Sequence, residues 1–76
     1  MDFRWNEWNL EHACRHGVSP REAELVVRTA RRPFPRRATD DRFLVWGRGT
    51  GGRLVQVVFL IDSEYSIYII HARATD

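Results

Sequence analysis

Apolar positions follow two rhythms along this chain, a helical spacing in the N-terminal part and alternating or continuous runs after residue 42. Asn6 has the side chain of a helix N-cap, Glu7 suits the positive helix start, and Trp5 and Leu10 have the spacing of a hydrophobic staple. Leu10, Ala13 and Cys14 then make one apolar stripe, and Gly17 ends this first helix. Ser19-Pro20-Arg21-Glu22 reads as a capping box with proline at the first helical position. Ala23, Val26, Val27 and Ala30 follow at i, i+3, i+4, i+7 and face a core, and Pro33 and Pro35 terminate the second helix. The basic, proline-punctuated segment between Arg32 and Asp41 reads as a loop with room for a short edge strand. Phe3 to Trp5 has the length of another.

Three strands complete the pattern: Arg42 to Gly47, Arg53 to Ile61, and Tyr65 to Arg73. Asp62-Ser63-Glu64 is a tight connection, so the last two strands pair antiparallel. Gly47-Arg48-Gly49-Thr50-Gly51-Gly52 formally matches G-x-G-x-x-G, but a dinucleotide site needs these glycines to open a helix, and here another strand follows. The hexapeptide is a hairpin turn. The last strand is apolar on both faces, which places it in the middle of a sheet. Strict alternation puts Ile67, Ile69, His71 and Arg73 on one side of it and Tyr68 and Ile70 on the other. The expected fold is α+β, a single domain of two N-terminal helices packed on one face of a small antiparallel sheet.

Composition narrows the chemistry. With 76 residues, 43% hydrophobic, the chain makes one small folded domain. No stretch nears the roughly 18 apolar residues of a membrane span, no signal-peptide pattern opens the sequence, and the lone Cys14 reads as a small core residue. These features point to a cytoplasmic protein. All twelve basic residues are arginine and lysine is absent, so a catalytic base must be His, Glu or Asp, with arginine as clamp or charge stabiliser. Arg28, Arg31, Arg32, Arg36 and Arg37 form a run without an acid among them, either a solvated face or a footprint for phosphates or an acidic partner. His12 and His16 have the helical spacing of a zinc pair but lack a third ligand, so no metal and no cofactor are expected. His71 and Arg73, two apart on a strand, set a proton-transfer group beside a permanent cation, a pairing suited to phosphate esters.

Several segments, taken in order, resemble the BrnT toxins of type II toxin–antitoxin systems. They are Phe3-Arg4-Trp5-Asn6-Glu7-Trp8-Asn9, His16-Gly17-Val18-Ser19 with Glu22 and Glu24, Asp41-Arg42-Phe43-Leu44-Val45-Trp46-Gly47, Gly52-Arg53-Leu54-Val55, and Ile70-His71-Ala72-Arg73-Ala74-Thr75. The resemblance covers nearly the whole chain. It implies a RelE-like fold, a ribonuclease that halts translation, and a BrnA-type antitoxin partner with a ribbon-helix-helix part. The family pattern falls on His16, Arg42, Arg53 and Arg73. Members commonly continue past the position of Thr75 into a C-terminal helix, whereas this sequence ends at Asp76, so a domain without that tail is expected.

Metal-free RNA cleavage needs a base for the 2′-OH, an acid for the leaving 5′-oxygen, and cations on the phosphorane. On that reading His71 is the base or acid, Arg73 holds the phosphate, Arg42 and Arg53 add charge, and Tyr68 or Trp46 stacks a base. The bland alternatives are specific. His16 satisfies the last helix carbonyls, Arg73 pairs with Asp62 or Glu64, Arg42 pairs with its neighbouring aspartates, and Trp5, Trp8 and Phe59 are core. The rival functional reading is a non-catalytic module that binds RNA or a protein.

Overall fold

The computed structural model describes residues 2–75. Helix α1 spans Glu7–Cys14 and helix α2 Pro20–Arg28. Four strands follow, β1 Arg36–Arg37, β2 Arg42–Arg48, β3 Leu54–Ile61 and β4 Ile67–Ala74, in one antiparallel sheet of order β1-β2-β3-β4. The fold is α+β, with both helices on one face of the sheet. Val45, Val55, Val57, Phe59, Ile67, Ile69 and Ala72 line that face and pack with Ala13, Val18, Ala23 and Val26 from the helical layer.

Local signals set the helix starts. The Asn6 side chain accepts from the Asn9 N–H while the Asn9 side chain accepts from the Asn6 N–H, a reciprocal cap. Asn9 is fully buried, and its amide also donates to the carbonyls of Arg4 and Ile69 at 3.1 and 3.0 Å. This changes the expected stripe. Asn9 takes the inward position on α1, Leu10 is left 45% exposed, and the Trp5–Leu10 staple places no second apolar residue in the core. Trp8 is not core either: it stands 49% exposed, stacked on His12 at 4.0 Å. After α1, Gly17 turns the chain at φ +84°, a conformation that side chains with a Cβ rarely adopt.

At α2, Ser19 caps the Glu22 N–H, but the Glu22 carboxylate does not return to Ser19. It is buried and accepts from Arg53 at Nε (2.9 Å) and Nη2 (2.5 Å) and from the Thr50 N–H (2.9 Å). The expected capping box is therefore half made, its glutamate diverted into a fork with an arginine at the end of the glycine turn. Gly49 lies against this carboxylate so closely that a Cβ there would collide with it. The glycine turn between β2 and β3 is thus a hairpin, as expected, and also an anchor point for α2.

The final strand departs from expectation in two ways. It lies at the edge of the sheet, not in the middle. Its outer edge is covered by a parallel bridge from Phe3, with the Arg4 N–H bonded to the Ile67 carbonyl and the Ile67 N–H to the Asp2 carbonyl, and by the Asn9 amide on Ile69. An edge sealed in this way presents no open row of backbone groups for another chain to pair with. The second departure is a β-bulge. Phe59 opposes Ile69 while its neighbour Val58 opposes His71, so Ile70 is the extra residue. The bulge shifts the alternation by one position. Ile67, Ile69 and Ala72 face the helices, whereas Tyr68, His71 and Arg73 lie on the opposite, uncovered face.

Candidate functional site

The register lays out the uncovered face as rows running across three strands. Trp46, Gln56 and Arg73 form one row, Leu44, Val58 and His71 the next, and Arg42, Leu60 and Tyr68 the third. Arg36 extends the middle row from β1. The middle of this face is half-buried, and the arginines at its ends are exposed.

His71 sits where this face meets the C-terminal end of α1. His16, two residues beyond that helix, brings its ring to 6.1 Å from the His71 ring, inclined at 60°. Burial pulls the His71 pKa below the ordinary imidazole value, and the charges of His16 and Arg73 push it the same way. Both effects favour the neutral imidazole over the imidazolium. Among the described residues, His16, His71 and Arg73 make no ion pair with any carboxylate. The expected bland partner of Arg73 is occupied elsewhere: the Asp62 carboxylate accepts from Arg4 at 2.6 Å and from the N–H groups of Glu64 and Ser66. His16 makes no hydrogen bond to the end of α1. Instead the Gly17 carbonyl beside it accepts from Arg53 Nη2 at 2.9 Å, so the Glu22–Arg53 fork fixes the turn that presents His16.

The remaining residues divide. Arg42 is exposed on the uncovered face and makes no ion pair among the described residues. Arg53 lies on the helical side, held by Glu22 and Gly17, and is placed to support the site rather than to touch a substrate. The Tyr68 ring is capped by the Arg4 guanidinium at 4.2 Å and its hydroxyl donates to Asn6, so it is not a free stacking platform. The arginine run is also split. Arg28 is paired with Glu24 and lies over Phe3, and Arg37 lies over Phe43 on the helical face, while Arg31 and Arg32 line a cleft with Trp46 and Arg36 lies opposite Leu44 on the uncovered face.

Sequence reading did not find the His16–His71 approach, which depends on the bulge turning His71 outward toward the end of α1. A two-residue count along a strand carries no sign of an inserted residue. The Arg53–Glu22 fork was equally hidden, because S-P-x-E has a sufficient local explanation in helix capping. Among the described residues no group of three metal-ligating side chains comes together. No helix among the described residues is long and apolar enough to cross a membrane. No protein-family model, curated protein or solved structure matches this chain.

Proposed function

We propose that this protein is a metal-independent ribonuclease, the toxin of a type II toxin–antitoxin system that inhibits translation by cutting RNA. The observation that carries this reading is the pair of imidazoles 6.1 Å apart with Arg73 beside them on an open sheet face. Two histidines at that separation can flank one phosphodiester. Neutral His71 takes the proton of the 2′-OH, and the 2′-oxygen attacks phosphorus. The P–O5′ bond breaks, His16 gives a proton to the departing 5′-oxygen, and a 2′,3′-cyclic phosphate remains. Arg73 faces the charge that builds on the non-bridging oxygens, where fixed cations contribute most, and Arg42 grips the flanking backbone. The resemblance to BrnT toxins adds a RelE-like fold and a BrnA-like ribbon-helix-helix antitoxin as partner, and the absence of a signal-peptide pattern in the sequence adds a cytoplasmic setting. A second reading, a binding module without catalysis, is favoured by Arg53 and Tyr68 being engaged within the fold.

Incubation of the purified protein with end-labelled RNA tests the reading. Cleavage is expected to persist in excess chelator, and a reaction that stops on metal removal contradicts it. A pH profile adds a sharper outcome. Arg73 disfavours the His71 imidazolium, so Arg73→Gln raises the His71 pKa. The acid limb of kcat/KM then moves to higher pH, in addition to any loss of rate. An unmoved limb removes Arg73 from the environment of the base.

A further inference from the structure

A cleft of about 470 Å³ opens at the outer edge of β2, beyond the two residues that β1 covers, lined by Arg31, Arg32, Phe34, Trp46 and Arg48, with Thr29 and Gly47. Three guanidinium groups and two aromatic rings line it, and no carboxylate does. Arg48 also donates to the Gly52 carbonyl, which steadies it at the mouth of the glycine turn. Cations around half-buried aromatic rings match a nucleotide, a flat base carrying a phosphate.

The cleft is joined to the histidine pair by the sheet itself. Trp46 shares a row with Arg73 across Gln56, and two strand spacings separate them, about 10 Å. From these observations we infer that the cleft is a subsite for a nucleotide of single-stranded RNA adjoining the cleaved linkage, with the strand crossing β3 over Gln56 and Val58. Arg31, Arg32 and Arg48 take its phosphates and Trp46 stacks its base. A duplex cannot splay a base into the cleft, so single strands are the substrate class. This inference rests on the ribonuclease reading for its direction along the strand, but the binding it requires is measurable without cleavage.

The test is fluorescence anisotropy with a labelled mixed-sequence RNA oligonucleotide on the full chain carrying His71→Ala, so that the probe stays intact. Adding Arg31→Gln and Arg32→Gln, both exposed and outside the core, is expected to weaken binding at least about tenfold and to lower the salt dependence by about 0.7 per lost phosphate contact. Trp46→Ala weakens it by about tenfold, with Trp46→Phe retaining most of the affinity. Arg21→Gln, on α2 away from the cleft, leaves it unchanged. Wild-type affinity in the double arginine variant overturns the subsite, and so does an equal loss in Arg21→Gln. A mononucleotide that binds as tightly as the oligonucleotide replaces the strand path with a free-nucleotide site and overturns it as well. Cleavage of a dinucleoside monophosphate by the wild-type chain is read separately. Its absence alongside cleft-dependent RNA binding defeats the ribonuclease reading alone, and its presence alongside cleft-independent binding defeats the subsite alone.

Discussion

Replacing His71 with alanine is expected to lower RNA cleavage by about 10²–10⁴-fold, the contribution of one positioned acid or base. The loss should fall on kcat, because the imidazole acts on a proton in flight and the cations that bind the strand remain. Stability should change little, since His71 lies on the uncovered face and is only half-buried. Its substitution removes an imidazole whose neutral form the fold favours. That last point has a pH consequence. A histidine whose folded pKa is lowered costs stability as pH falls below the unfolded value, because the unfolded chain takes up the proton more readily. His71→Ala is therefore expected to be somewhat more acid-tolerant than the wild type while cleaving far more slowly. Full activity in the alanine variant would remove this residue from the chemistry.

The largest effect on stability is expected at Glu22. Its carboxylate is 4% exposed and accepts three hydrogen bonds, from Nε and Nη2 of Arg53 and from the Thr50 N–H. Glu22→Gln removes the carboxylate charge that Arg53 grips and weakens the anchor between α2 and the glycine turn. Removing one member of a buried pair costs about 3–5 kcal/mol, and the low end applies because the Arg53 side chain is 38% exposed. For a domain of this size that is a large part of the whole stability. The hydrogen bond from Arg53 is the main reason that the Glu22 pKa lies below the usual carboxylate range. A depressed carboxylate contributes stability that is complete above its unfolded pKa and is lost as pH falls through its folded one. Thermal melts should thus show the wild type losing stability in acid and Glu22→Gln, already weakened, losing less. The same variant should cleave RNA more slowly, because Arg53 also holds the Gly17 carbonyl next to His16. Equal melting temperatures for the two proteins would show that the fork has no structural weight.

Much of this architecture is readable from local chemistry. Asn6 and Ser19 announce both helix starts, and the glycine-rich hexapeptide declares a hairpin once the strand after it is counted, whereas α2 stops at Arg28 with Thr29 as its C-cap, before the prolines expected to end it. What escapes the sequence is what depends on distant partners. Asn9 looks like a surface residue until the Ile69 carbonyl and the cap of Asn6 are seen to satisfy it, and with it inside, Leu10 is turned out. The apolar run of β4 implies a central strand, whereas the strand is an edge sealed by Phe3 and Asn9 and buries only Ile67, Ile69 and Ala72 under the helices. The candidate site shows the same division. That His71 and Arg73 share a side follows from strand geometry, and the face that they share is decided by the bulge at Ile70. Arg42 and Trp46 fall on that face by register, while Arg28, Arg37 and Arg53, equal to them as letters in a basic sequence, are drawn to Glu24, Phe43 and Glu22.

The central claim is that His16 and His71 act on one RNA linkage by way of its own 2′-hydroxyl. The most direct measurement uses an oligonucleotide with a single preferred cut and compares it with the same molecule lacking the 2′-hydroxyl at that nucleotide, in the presence of chelator. The ribo form is expected to yield a 2′,3′-cyclic phosphate end and the deoxy form to remain intact. Equal cutting of both would contradict the account.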